Sequence, residues 1–329
     1  MRYSGVFSKK SSKIILGTDY YGEERDEDVA FSLLDKFFEM GGNHIDTARL
    51  YTNGKSEEIV GKWLKSRKPK DAFIATKGGC FRKEAPNVKR ITEKDIREDA
   101  ENSLRALGVD CLDLYWLHRD DENVEVAAIL EWMNRLIDEG KIRSFGASNW
   151  RGERIVQARD YAENHGLTGF AASQVRFSPA VVNPKERMPD LVEMDKGEFD
   201  CYLRLKIPVV AYSSQAKGFF SKIISSGEGG LSEKARNRYL NPENLATLAV
   251  LKKLSAKYDI SVASLIACAF SSFEGPEVFP VVGCSNEMQL EDTLERCDIV
   301  IPREEIREIF AQILGNWGGF YNKGGKSPD

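Results

Sequence analysis

Eight short apolar runs, each followed by a stretch with apolar residues at helical spacing, constrain this chain more than any other feature. The runs fall at 14–17, 43–46, 72–76, 112–117, 143–147, 170–175, 207–212 and 278–282. Helix punctuation fills the gaps between them. Asp26, Thr92 and Ser261 stand where N-caps belong, Ser56 announces the second helix and Asn149 the fifth. Gly41-Gly42, Gly108, Gly140 and Gly166 stand where helices should stop. A Pro-bearing linker leads into a further helix expected over 191–205. Parallel strands need helical crossovers, and eight of them close without an edge, so the pattern predicts a (β/α)8 TIM barrel. An open doubly wound sheet would carry GxGxxG after its first strand, and none is present; GEGG at 227–230 sits in a polar stretch and reads as a turn.

A chain of 329 residues and 37.0 kDa suits one such barrel, expected over 1–329 with residues 314–329 as a lid or tail. Lys and Arg number 47 against 51 Asp and Glu, with the signs interspersed, which argues against a nucleic-acid partner. The six cysteines form no CxxC pair and the three histidines no HxH pair, so no metal is expected. No run is long enough to span a membrane, and the start, MRYSGVFSKKSSK, lacks the apolar core of a signal peptide. The expected location is the cytoplasm.

In a barrel all strands deliver their C-terminal ends to one mouth. Asp46 ends the second strand, Tyr51 lies in the loop beyond it, Lys77 follows the third strand and His118 the fourth. Singly, these read as a turn residue, a loop aromatic, an end charge and a hydrogen-bonded histidine. Their coincidence on successive strands makes them candidate catalytic residues.

Those residues stand in segments that resemble the aldo-keto reductase family over nearly the whole chain. The segments are GGNHIDTARLYTNGKSEEIVG from Gly41, the ATK ending at Lys77, LGVDCLDLYWLH ending at His118, GKIRSFGASN ending at Asn149, Gln174, and VVAYSSQAKG ending at Gly218. The resemblance implies carbonyl reduction by a nicotinamide dinucleotide, with a tetrad of Asp46, Tyr51, Lys77 and His118. Tyr51 would give the proton, and Lys77 beside it would lower a phenol pKa that is ordinarily about 10. Asp46 would hold Lys77, and His118 would orient the carbonyl.

For the cofactor, the resemblance carries Ser148, Asn149 and Gln174 onto the carboxamide and Tyr212 onto the nicotinamide ring. Ser213, Ser214, Gln215, Lys217 and Gly218 would wrap the pyrophosphate, while Ser285, Gln289 and Asp292 surround the adenosine; Gly17, Thr18, Asp46 and Gly283 complete the set. No Lys or Arg lies between Gly283 and Thr293, where many NADP-preferring members place one. Basic residues after strand seven, Lys217, Lys222, Arg236 and Arg238, would serve instead, so NADP(H) is expected over NAD(H). Asp19, Tyr20, Arg49, Arg119, Asp120 and Trp150 are the expected substrate contacts, a polar set that suits a small or sugar-like carbonyl, with Trp317, Phe320 and Tyr321 as a lid. Two other classes stay open: a nucleotide-binding redox sensor with little turnover, and a Schiff-base aldolase using Lys77.

Overall fold

The computed structural model describes residues 1–273 and 275–315. Eight parallel strands close into a barrel: β1 (Ile15–Gly17), β2 (His44–Asp46), β3 (Phe73–Gly78), β4 (Leu114–Leu117), β5 (Phe145–Ser148), β6 (Ser173–Arg176), β7 (Val209–Tyr212) and β8 (Val278–Val282). Each pairs with the next, and β8 returns to β1 through Val281↔Ile15 and Val282↔Leu16. The strands are shorter than the apolar runs at most starts, because only their central residues pair. β3 instead runs on to Gly78 and takes Lys77 into the sheet.

Helices α1 (Glu27–Glu39), α2 (Lys55–Arg67), α3 (Glu93–Leu107), α4 (Val126–Asp138), α5 (Gly152–His165) and α6 (Lys196–Leu205) make the first six crossovers. After β7 come α7 (Phe219–Ser226), α8 (Glu233–Tyr239), α9 (Pro242–Tyr258) and α10 (Val262–Ser271); α11 (Glu287–Leu294), α12 (Arg303–Ile309) and α13 (Ala311–Leu314) follow β8. Asp26, Thr92 and Ser261 accept from Val29, Asp95 and Ser264 N–H, as N-caps do. Gly108 and Gly166 end α3 and α5 with φ of 66° and 64°, a conformation glycine adopts without Cβ strain.

Three expected helix starts are corrected. Ser56 caps nothing: α2 begins at Lys55, and the buried Ser56 hydroxyl instead donates to Thr18 O at 2.8 Å and meets Thr18 Oγ1 and Thr47 Oγ1. It ties the loops after β1 and β2 together. Asn149 does not open α5, whose cap position is Arg151, because its amide is engaged at the barrel mouth. The helix expected from 191 starts at Lys196 with Asp195 as its cap, since 192–194 run extended against Arg176 with bonds of 3.0 and 2.8 Å.

The barrel interior is apolar at its lower end, where Ile15, Phe73, Leu114, Trp116, Val210 and Phe279 pack together. An N-terminal hairpin of Tyr3–Ser4 and Ser11–Ser12, whose two-residue strands leave no periodic signal, presses Phe7 into that end. The Phe7 ring lies 5.4 Å from Phe73 and 5.1 Å from Phe279. This plug closes the N-terminal face and leaves the C-terminal mouth as the open end.

Candidate active site

The mouth holds a buried chain of polar groups. Asp46 pairs with Ala75 in the β2–β3 register, so Lys77, two residues further along β3, shares the face of Ala75 and its side chain reaches back to the carboxylate; the Lys77 and Asp46 side chains are only 1% and 3% exposed. The Lys77 ammonium donates to the Asp46 carboxylate, to Thr47 O at 2.8 Å and to the Tyr51 hydroxyl at 3.0 Å. All three of its protons are thereby used. The second Asp46 oxygen accepts from Gln174 Nε2 at 3.1 Å, which fixes the carboxylate from across the barrel. A short 3-10 turn, Tyr51–Gly54, bends the phenol back over the mouth, and the His118 ring stands edge-on to it at 6.0 Å.

Burial and charge set the protonation states. Burial raises the Tyr51 pKa to about 12, and the Lys77 cation offsets only part of that rise. The expected pull of the Lys77 cation toward the phenolate is present, but the net expectation of a lowered value is corrected, because desolvation exceeds it. Burial also works against the Lys77 charge, but Asp46 and Tyr51 outweigh it and hold the pKa above the usual lysine value. A lysine kept charged and triply bonded is a poor amine nucleophile, which argues against Schiff-base chemistry. His118 is pushed well below the ordinary histidine value by burial, Arg119 and Lys77, so its ring is neutral. Its buried Nδ1 has no partner among the described residues.

From Tyr51 and His118 an open cleft of about 680 Å³ runs across the barrel mouth. Ser148, Asn149, Gln174 and Tyr212 line it next to the tetrad, followed by 213–215 and 217–218, with Gly17 and Thr18 on the facing wall. Gly283, Ser285, Gln289 and Asp292, from the segment after β8, line its far end, and Lys222, Asp19, Tyr20 and Arg119 line it as well. Gly17 is required by space, since a Cβ there would lie 2.8 Å from Val281 Cγ1. Asn149, at φ 59°, accepts from the Tyr212 hydroxyl at 2.8 Å and so sets the ring that floors the cleft.

Several expected contacts stand elsewhere. Arg49 turns away to pair with the buried Glu57 and does not line the cleft. Trp150 is fully buried: its Nε1 donates to Arg119 O at 3.2 Å and its ring packs on Phe170, so it supports the rim from beneath. Arg236 donates to Glu228 O and Arg238 to Glu186 O, and neither lines the cleft. Arg119 lines it while paired to Asp190 at 3.1 Å, whereas Asp120 is drawn to Arg154. Trp317, Phe320 and Tyr321 lie outside the described residues. Arg25, in the loop after β1, was not foreseen and lines the far end; only its side-chain reach puts it there.

The cleft's donor set fits a nicotinamide dinucleotide. The hydroxyl and amides of Ser148, Asn149 and Gln174 match a carboxamide, which needs both donors and acceptors. Ser213, Ala216, Lys217 and Gly218 all have positive φ, a tight winding in which Ala216 N and Gly218 N donate to Ser213 O and Gln215 O. The N-terminus of α7 follows directly with no side-chain cap, a place suited to phosphate oxygens. Among the described residues no cluster of His, Cys, Asp and Glu could hold a metal ion, and no helix is long and apolar enough to cross a membrane.

Comparison with known proteins agrees with this geometry. The model of the aldo/keto reductase family matches residues 13–313. The norsolorinic acid reductase of Emericella nidulans is 28% identical over 91% of this chain and 77% of its own length. An aryl-alcohol dehydrogenase of Pestalotiopsis microspora is 25% identical over 86% of this chain and 72% of its own. A crystal structure of a thermostable aldo-keto reductase bound to the inhibitor epalrestat shares the fold with a TM-score of 0.71 at 21% identity, covering 95% of this chain and all of that one.

Proposed function

This chain belongs to the aldo/keto reductase family, and from that premise we propose that it is an NADP(H)-dependent reductase of a small polar carbonyl, with Tyr51 as the proton donor. One observation carries the reading: Lys77 bridges Asp46 and the Tyr51 hydroxyl at the floor of the cleft, with the Tyr51 contact at 3.0 Å. A dihydronicotinamide held by Ser148, Asn149, Gln174 and Tyr212 would supply the hydride. The protein supplies everything that answers the negative charge then gathering on the carbonyl oxygen.

A phenol with a pKa near 12 holds its proton at neutral pH, so Tyr51 starts the reaction as an acid. As it gives up that proton, the adjacent ammonium becomes the counter-ion of the phenolate, an interaction that strengthens along the reaction coordinate. Asp46 and Gln174 keep the ammonium from swinging out of line. His118, neutral and edge-on to Tyr51, can donate one ring N–H to the same oxygen without competing for the proton. In the oxidative direction Tyr51 must first be a phenolate and acts as base.

The rim favours a polar substrate, because Asp19, Tyr20 and Arg119 border the cleft mouth near the tetrad. The name of the aryl-alcohol dehydrogenase relative points the other way, toward an aromatic substrate. Carbonyl-dependent consumption of NADPH over hydroxylated aldehydes, aromatic aldehydes and ketones separates these. A higher kcat/KM on hydroxylated aldehydes supports the polar reading, a higher value on aromatic ones overturns it, and no turnover on any carbonyl overturns the reductase itself.

A further inference from the structure

The far end of the cleft takes its cation from an unexpected place. Residues 283–293, which border it after β8, contain no Lys or Arg, yet the Arg25 guanidinium is lodged against them. Arg25 Nε donates to Cys284 O at 2.8 Å and Nη2 to Ser285 Oγ at 3.0 Å, while the guanidinium lies 4.9 Å from the Tyr20 ring centroid. Its backbone is held too, with Arg25 N donating to Tyr20 O and Arg25 O accepting from Gly22 N. The side chain is 11% exposed, so this is a positioned charge and not a swinging one.

Nη1 is left facing outward. Its one partner is Glu24 at 3.4 Å, a side chain that is 64% exposed, and such a contact contributes little. The Ser285 hydroxyl accepts from Arg25 and so has its own proton to give. Lys222, from α7, lines the same cleft. Two carboxylates, Glu24 and Asp292, line this end as well. Without Arg25 the local charge would disfavour an anion.

We infer that Arg25 is the specificity-determining residue for a phosphate on the adenosine ribose, binding it through the outward edge of its guanidinium together with Ser285. A planar fork suits a phosphate, and its pinning by Cys284 O removes most of the ordering cost. The inference rests on reading the cleft as a dinucleotide site, and the test separates the two.

The test is calorimetric titration of the wild-type protein, Arg25→Met, Arg25→Lys and Glu24→Gln with NADPH, NADH and adenosine 2',5'-bisphosphate. Wild type should bind NADPH more tightly than NADH. Arg25→Met should weaken NADPH and the bisphosphate by about 10- to 100-fold, as loss of a charged hydrogen-bond pair does, while NADH stays within about twofold. Arg25→Lys should fall between, and Glu24→Gln should tighten NADPH. Equal losses for NADPH and NADH in Arg25→Met would reduce Arg25 to a structural tie. An undiminished NADPH preference in that variant, or equal binding of the two by wild type, would also overturn the inference while leaving the dinucleotide reading intact. Binding of neither dinucleotide by wild type would overturn that reading itself.

Discussion

Lys77 Nζ stands 3.0 Å from the Tyr51 hydroxyl while its other two protons are taken by Asp46 and Thr47 O. The ammonium, on a side chain only 1% exposed, cannot leave without breaking three bonds. Its position relative to the phenol is thus fixed before any substrate arrives, which is what electrostatic preorganisation requires.

Replacing this lysine should separate catalysis from binding. Lys77→Met leaves the Tyr51 phenol without a counter-ion as it ionises, so kcat should fall by roughly 10²- to 10⁴-fold, the range of general acid catalysis. NADPH affinity should change far less. The same variant strands the buried Asp46 carboxylate, which costs about 3–5 kcal/mol, and Lys77→Met/Asp46→Asn should recover much of that stability without recovering activity. Urea melts and steady-state kinetics on both variants check this.

Acid should destabilise the fold through two histidines. Burial pushes the His44 pKa to about 3 and, with Arg119 and Lys77, holds His118 well below its ordinary value. Both values lie below the unfolded value of about 6.5, so the unfolded chain takes up more protons as the pH drops. The stability these groups contribute is complete above about pH 6.5 and is lost as pH falls toward the folded values. Two such groups lose on the order of 2–4 kcal/mol between pH 7 and 5. Urea midpoints across that range should show it, and His44→Leu should remove about half of the slope.

The hairpin plug should matter for folding alone. Phe7 is buried against Phe73, Phe279 and His44 at the barrel end opposite the tetrad. Phe7→Ala should cost about 3–5 kcal/mol in a urea melt, as large-to-small aromatic changes do, with kcat of the folded protein unchanged. A fall in kcat with stability intact would show that the plug acts on the site.

At the rim, Arg119 bonds Asp190 at 3.1 Å and its own neighbour His118 O at 2.8 Å. Arg119→Met should raise KM for polar carbonyls several-fold and leave kcat within about threefold, the pattern of lost uniform binding. An equal fall in kcat and kcat/KM would place Arg119 in the transition state instead.

The barrel, and the meeting of Asp46, Tyr51, Lys77 and His118 at its mouth, were legible in the sequence because both follow from the order of apolar runs. Asp46, Lys77 and His118 each close an apolar run, and pairing between neighbouring strands does the rest. What escaped was decided by side-chain reach and burial. Trp150 and Arg49 follow strand ends as the candidate catalytic residues do, yet one is swallowed beneath the rim and the other is captured by Glu57. Arg25 lies eight residues beyond Gly17 in a polar loop with no pattern, and only its grip on Cys284 O shows its place. Tyr51 was placed correctly but its pKa was not, because the expectation weighed the cation and left out desolvation.

The central claim is that Tyr51 delivers the proton in a reaction whose hydride comes from NADPH. The direct measurement compares carbonyl-dependent NADPH oxidation by wild type and Tyr51→Phe, alongside the NADPH dissociation constant of each. The account predicts that kcat falls by about 10²-fold or more while the dissociation constant stays within about threefold. A Tyr51→Phe protein that keeps kcat within about twofold of wild type would contradict it.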